Sequence, residues 1–411
     1  MDKICDVGYV KYLKISFLIL TVFSVSQWVE LGITNTIVSW LLSFFVLLCA
    51  LKIKCFYKFK TVLPITLWFI ILFLNFIYSL FKAKYYWDYK LGFSNLMTFS
   101  LPLISLIFCN PSLLVIILKY WLRKSWFFFL ILFPFMLSDA VGRFLVPYTF
   151  LLIIFPLLSK KNKTFAIIAF LLTLIFGRDS RSDLIKFVFC GMCALLSCWN
   201  FFLKHSVCIL KIFRHVILLC PFLFFTLGAT NVFNIFKTPE EIGISGKYYG
   251  KSLDGNDIDL TEDNRTPLYL EVVSSSINND YWLFGRSISR GYDTSIFAYE
   301  NDLQDGPHHK GERSASEVSI LNIFNYFGVV GVFAYFFIFW QATKKALYES
   351  NNIYIKMIGI YIAFRWFFGW IEDFSNFDLN MFFLWVMIGM CYSPYWRNMS
   401  DSDFKKISKC F

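Results

Sequence analysis

GRDSRSD (177–183) lies between two apolar runs, TFAIIAFLLTLIF (164–176) and LIKFVFCGMCALLSCWNFFL (184–203). Two arginines and two aspartates are packed into a short turn between hydrophobic walls. A pattern of apolar run, charged turn and apolar run is that of a helical hairpin crossing a bilayer, and it recurs along the chain. Of the 411 residues, 57% are hydrophobic and 16% charged, and the mean hydropathy is +0.58. Soluble domains carry more charge than this. The fold class expected is therefore all-α, a polytopic integral membrane helix bundle. A β-barrel would instead show short alternating strands.

The spacing predicts about 12 transmembrane helices, near 15–31, 33–51, 61–80, 92–109, 125–138, 144–159, 164–176, 184–203, 216–230, 317–341, 353–371 and 378–393. Segments 125–138 and 164–176 are short for a full crossing, so ten spans is the alternative. The organisation expected is helices 1–9 in 1–230, a large periplasmic loop in 231–316, helices 10–12 in 317–393 and a cytoplasmic tail in 394–411. The N-terminal MDKICDVGYVKYLK runs into an apolar segment without a small-residue cleavage site, so that segment reads as the first span.

Lysine and arginine set the orientation. With the N-terminus inside, the cytoplasmic segments hold 23 basic residues and the short outer loops hold seven. The positive-inside rule then puts both termini in the cytoplasm and GRDSRSD outside. The same distribution accounts for the net charge of +11 and argues against nucleic acid as a partner. None of the eleven cysteines lies between 221 and 390, and Cys190-x-x-Cys193 sits inside an apolar run, so no disulfide and no metal site is expected. His308 and His309 are adjacent and point in different directions. No nucleotide-binding or hydrolase motif is present.

Charge near membrane depth marks candidate sites. On the outer side this gives Asp139, Arg143, Arg178, Asp179, Arg181, Asp183, Arg265, Arg286, Arg290, Glu317, Arg365, Glu372 and Asp373. Guanidinium groups at an interface suit phosphate or pyrophosphate, which they bind bidentately. The plainer readings stand beside this one. GRDSRSD can be a hairpin stitched by its own ion pairs, or its arginines can reach to headgroups. Arg365 can pair with Glu372 or Asp373. SASE (314–317) resembles a capping box from Ser314 to Glu317. Within the long loop, RTPLYLEVVSSSI (265–277) predicts a short surface helix with Leu268, Val272 and Ile277 along one face.

Three stretches together resemble the bacterial O-antigen polymerases, of the O-antigen ligase/polymerase superfamily: FGRDSRSD (176–183), DNRTPLYLEVVSSSINNDYWLFGRSISRG (263–291) and ERSASEVSILNIFNYFGVVGVFAYF (312–336). In the last, Gly328 and Gly331 form a G-x-x-G, and the residue eleven before Gly328 is Glu317, where ligases often carry histidine. The resemblance implies a membrane glycosyltransferase of lipopolysaccharide biosynthesis in the bacterial inner (plasma) membrane. Its substrate would be an undecaprenyl-pyrophosphate-linked oligosaccharide, with a chain-length regulator protein as a further partner besides the bilayer and with no cofactor. For that chemistry Arg178, Arg181, Arg265 and Arg290 are the candidate pyrophosphate clamp. Glu317 is the first candidate base, with His308 and His309 in reserve. A flippase of lipid-linked oligosaccharide and an O-antigen ligase are the rival functions. The long late loop and the lack of an internal repeat weigh against the first, and Glu317 against the second.

Overall fold

A computed structural model describes residues 7–25, 36–52, 62–136, 138–176, 181–230, 249–251, 257–259, 265–294, 311–373 and 377–408. The described residues are predominantly helical. In order come α1 (Val7–Phe23), α2 (Thr36–Lys52), α3 (Leu63–Lys82), α4 (Tyr86–Phe99), α5 (Pro102–Ile107), α6 (Pro111–Leu132), α7 (Ser138–Leu145), α8 (Thr149–Ile153), α9 (Lys160–Phe176), α10 (Arg181–Cys198), α11 (Asn200–Ala229), α12 (Thr266–Asn278), α13 (Ser319–Tyr348), α14 (Ile353–Phe368), α15 (Leu379–Tyr392), α16 (Pro394–Asn398) and α17 (Asp401–Ser408). Two short antiparallel ladders accompany them. β1 (Tyr249–Lys251) pairs with β2 (Asp257–Asp259), and β3 (Tyr292–Asp293) with β4 (Glu312–Arg313).

Prolines open several helices, where a missing N–H costs nothing: Pro64, Pro102, Pro111, Pro267 and Pro394 lie in the first turns. Asn110, Asn352 and Asp378 cap α6, α14 and α15 through their side chains. Three helices among the described residues, Leu63–Lys82, Val207–Ala229 and Ser319–Tyr348, are long and apolar enough to cross a membrane, and a fourth span results if the bent pair Tyr86–Leu106 and Pro111–Phe135 counts as one. Large apolar side chains face outward on the periphery, among them Phe73, Phe81, Phe127, Leu130, Leu195 and Ile212. Such a belt is unfavourable in water and natural against lipid tails.

Elements differ from the sequence expectation in several places. KYWLRK (119–124) is not a loop but lies within α6, and KHSVCILKIFR (204–214) lies within α11. Arg214 explains the second: it is buried, donates from Nε to Thr343 Oγ1 at 2.8 Å and from Nη2 to the Trp340 carbonyl at 2.8 Å, and covers the Trp340 ring. The expected span 144–159 is a chain of short pieces, α7, a 3-10 turn at Val146–Tyr148, α8 and a second turn at Phe155–Leu157, broken at Pro147 and Pro156. Residues 144–154 are all buried, and broken helix at membrane depth is tolerated only inside protein. α15 is likewise short because it is internal, buried along its whole length except at Asn380. The 394–411 tail is folded in its described part, with Trp396 and Phe404 buried and Ser408 Oγ donating to the Leu157 carbonyl at 3.3 Å.

The feature that positions the outer loop is a break in α13. Gly328 has φ +66° and interrupts the helix. Four main-chain groups lose their helical partners there, and each finds another. Val329 N donates to the Trp282 carbonyl at 2.9 Å and Val330 N to the Leu283 carbonyl at 3.2 Å. The Asn325 carbonyl accepts from Arg286 N at 2.7 Å, and the Tyr326 carbonyl from Asn75 Nδ2 at 2.6 Å. The turn 282–286 is thus plugged into the helix. Asn75 Oδ1 also accepts from Ile288 N at 3.0 Å, Asn95 Nδ2 donates to the Ile288 carbonyl at 2.8 Å, and Asn325 Nδ2 to the Arg290 carbonyl at 3.1 Å. Three asparagines from α3, α4 and α13 therefore clasp residues 288–290, in a setting where unpaired polar groups are costly.

α12 exists as predicted, beginning at Thr266, but its buried face differs. Leu268 and Val272 are buried with Ser275 and Ser276, while Ile277 is exposed together with Leu270. The helix docks on the bundle through Tyr269, whose hydroxyl donates to the Trp370 carbonyl at 2.6 Å.

Gly311 also has a positive φ, +79°, but no neighbour occupies the space a Cβ would fill, whereas at Gly328 a Cβ would overlap the Leu283 main chain. Gly311→Ala should cost only the left-handed penalty, about 1–2 kcal/mol. Gly328→Ala adds a backbone collision and should abolish the folded state. Thermal unfolding of the two purified variants in detergent checks this; equal melting temperatures would contradict the plug.

Candidate functional site

Residues expected on the outer side gather at one end of the bundle. An ionic layer runs along the docked loop. Arg265 Nη1 donates to Glu317 Oε2 at 2.6 Å, and Arg313 Nη2 meets Glu317 Oε1 at 3.5 Å. Next to Arg313 in β4, Glu312 binds Arg286 Nη2 at 2.9 Å and both Arg290 Nε, at 3.1 Å, and Arg290 Nη2. Arg286 Nη1 closes the layer on Asp293 Oδ1 at 2.7 Å. The β3–β4 register, Tyr292 against Arg313 and Asp293 against Glu312, interleaves these charges. The Glu312 hydrogen bonds hold the Arg290 pKa above its ordinary value. Burial pushes the Tyr292 phenol up to about 12 and raises those of Tyr269 and Tyr281.

The two halves of this layer differ in availability. Glu317 is 61% exposed and Arg265 29%, whereas Arg290 is 15% and Glu312 10% exposed. An exposed pair contributes little to stability and exchanges readily for a ligand. Arg290 is built into the loop. Glu317 does not cap α13: that helix starts at Ser319 with Val318 at the N-cap position and no side-chain cap, so the Ser314–Glu317 box is absent.

A second, largely buried cluster centres on Lys186. Lys186 Nζ lies 2.9 Å from Asp183 Oδ1 and 2.9 Å from Glu372 Oε2. Ser182 Oγ donates to Glu372 Oε1. Arg365, 1% exposed, donates to Asn380 Oδ1 at 2.8 Å. Glu372, expected opposite Arg365, takes Lys186, and Asp373 accepts from Ser319 Oγ at 3.1 Å. The Glu372 and Gly369 carbonyls accept from Ser319 N and Ile320 N, at 3.2 and 3.1 Å, which ties the start of α13 to the turn after α14. Gly142 of α7 makes room for this: a Cβ there would stand 2.7 Å from Asp183 Oδ2.

Of the predicted site residues, Arg265 and Glu317 come together across 52 positions and Arg290 sits in the same layer. Arg181 opens α10, but its side chain lies outside the described residues, as do Arg178, His308 and His309 entirely. In GRDSRSD the described side chains, Ser182 and Asp183, fasten α10 to the turn after α14. Sequence reasoning missed Lys186 as a centre of charge. An Asp–Lys pair three apart on an apolar helix was the available signal. Glu312 and Arg313 carried no such signal, since their partners are distant in sequence. Among the described residues no three His, Cys, Asp or Glu side chains converge on a point that could hold a metal ion.

Beside Arg265 runs an apolar groove between α11, α12 and the end of α14. Pro221, Phe225 and Gly228 form one wall, Tyr269 and Leu270 a second, and Trp370 the third.

Comparison with family models, with curated proteins and with solved structures finds no match to this chain.

Removing one partner of a buried ion cluster costs about 3–5 kcal/mol, because the others stay buried uncompensated. Lys186→Met should therefore lower the melting temperature sharply, and adding Asp183→Asn should recover part of the loss. An additive double variant, measured by thermal unfolding in detergent, would mean that the two side chains do not interact.

Proposed function

We propose that the protein is a bacterial O-antigen polymerase. It would cross the inner membrane about twelve times with both termini cytoplasmic. At the periplasmic face it would join undecaprenyl-pyrophosphate-linked repeat units, with no cofactor. The carrying observation is the position of Arg265. It directly precedes Thr266, a residue of the apolar groove wall, and it pairs with the exposed Glu317. A polyprenyl pyrophosphate has an apolar chain and an anionic head, and groove and guanidinium match one each.

The chemistry follows from these parts. A hydroxyl oxygen of the acceptor's terminal sugar bonds to the anomeric carbon of the donor glycan. The bond from that carbon to the pyrophosphate oxygen breaks, and its electron pair leaves on undecaprenyl pyrophosphate. Fixed guanidiniums stabilise that charge as it develops. The head group takes Arg265 from Glu317, which frees the carboxylate to accept the hydroxyl proton. His308 and His309 are the reserve bases, and Arg178 and Arg181 further cations of the clamp. Arg290 acts through Glu312 rather than directly. A chain-length regulator would bind the same periplasmic end. The flippase alternative gains nothing from the one-sided placement of these charges, and the ligase alternative lacks a histidine at position 317.

A lipopolysaccharide gel of a deletion strain, with its lipid-linked intermediates, tests the reading. Collapse of the ladder to core bearing one repeat unit is expected. Long polymer stranded on the carrier would mean ligase, single units held on the cytoplasmic leaflet would mean flippase, and an unchanged ladder would sink all three. In the complemented strain, Arg265→Lys should slow polymerisation at least about tenfold, since lysine cannot bind the head group bidentately.

A further inference from the structure

A polar cavity of about 260 Å3 opens on the same end of the bundle, away from the apolar groove. It lies between the first turns of α4 and the clasped loop. Trp87, Asp88, Lys90 and Ser94 form one side, and Ser289 and Glu312 the other. Arg265 and Glu317 of the proposed reaction do not line it.

The walls are held in place on both sides. Asp88 is buried, and its Oδ2 accepts from Lys84 N at 2.8 Å and Tyr85 N at 3.2 Å. Glu312 is fixed by Arg286 and Arg290. Ser94 Oγ accepts from Trp40 Nε1 at 2.9 Å. Ser289 Oγ pairs with Ser287 Oγ at 2.9 Å and donates to the Ser79 carbonyl at 3.3 Å. Lys90 Nζ lies 4.3 Å from the Trp87 ring centre. The cavity is therefore preformed, and binding would cost little ordering.

Its chemistry selects a ligand class. Charged and hydroxyl side chains interrupt its apolar surface, which suits a lipid chain poorly. A free anion meets two carboxylates, Asp88 and Glu312, against one lining cation, Lys90, and like charges in close quarters disfavour it. A metal ion would need a third converging acid, and among the described residues no such group exists. These walls suit a neutral molecule rich in hydroxyls with one apolar face. Carboxylates accept hydroxyl protons in short, strong hydrogen bonds, serines both donate and accept, and an indole offers a flat apolar surface, one face of which Lys90 covers. The volume is just below the roughly 300 Å3 at which pockets for drug-sized ligands begin, so it takes one ring and not a chain.

We propose that this cavity is a sugar subsite that holds one pyranose ring of the glycan, with the ring stacked on Trp87 and its hydroxyls on Asp88 and Glu312. That the ring belongs to a lipid-linked repeat unit rests on the polymerase reading; that the cavity binds a sugar does not. Glu312 joins the two sites, because the carboxylate on the cavity wall is the one that fixes Arg286 and Arg290. A sugar ring on Glu312 would thus be sensed in the ionic layer that reaches, through the adjacent Arg313, to Glu317 and Arg265.

The test uses the purified full-length protein in detergent and ligand-observed saturation-transfer NMR. The probe is the strain's own surface polysaccharide, released from its lipid by mild acid. Transfer to sugar ring protons is expected for the wild type. It should fall at least fivefold in Trp87→Ala and largely persist in Trp87→Phe, both chosen at unchanged melting temperature. No transfer to the wild type, or equal transfer to all three proteins, overturns the subsite. The deletion-strain ladder reads the other proposal independently. A collapsed ladder without sugar transfer rejects the subsite alone, and transfer lost in Trp87→Ala beside an unchanged ladder keeps the subsite and rejects the polymerase.

Discussion

A helix broken inside a membrane protein exposes main-chain donors and acceptors where water cannot serve them, and the break at Gly328 is answered by a loop from outside. Trp282, Leu283 and Arg286 supply main-chain partners, and Asn75 supplies the remaining one. Only glycine suits the position, since its φ is +66° and a Cβ would overlap the Leu283 carbonyl. Gly285, with φ +80°, is the matching contact on the loop side, against the Tyr326 and Phe327 main chain. This one junction fixes where residues 286–294 run. It thereby fixes Arg286, Arg290, the β3–β4 ladder and the wall of the polar cavity.

Charge is divided by depth. The Lys186, Asp183 and Glu372 cluster is largely buried, joins α10 to the turn after α14 and would be costly to disturb. The Arg265–Glu317 pair is partly exposed and weak, so it can be exchanged for a ligand. The buried cluster holds the start of α13 against the turn after α14, two residues beyond Glu317. The arrangement sets a rigid cluster beside an adaptable rim.

The rim has two neighbours of opposite character. The groove walled by Phe225, Tyr269 and Trp370 is apolar, and the cavity walled by Asp88, Ser289 and Glu312 is polar. An amphiphile with a lipid tail, an anionic linker and a sugar would meet a suitable surface at each part. The ionic layer lies between in the chain of contacts, from Glu312 through the adjacent Arg313 to Glu317 and Arg265.

The helical character was legible in the sequence because long apolar runs without charge have few other solutions than helix at membrane depth. The start of α12 was legible at Thr-Pro, a local signal; the break at Gly328 was not, since 317–341 read as one continuous span. Lengths were not. Arg214 and the KYWLRK stretch lie in helices because helix continues through charge when other helices supply partners, as Thr343 and the Trp340 carbonyl do for Arg214. The buried face of α12 followed its dock on Trp370 and not its own periodicity, which left Ile277 outside. The site divides in the same way. The sequence alone determined which residues carry charge next to apolar runs, and so a list of arginines and acids. Only the tertiary structure decided who meets whom, Arg265 with Glu317, Lys186 with Glu372, Arg290 with Glu312. Those partners stand 22 to 186 residues apart, and no local rule of spacing reaches across such distances; the packing of the broken helix and its loop does.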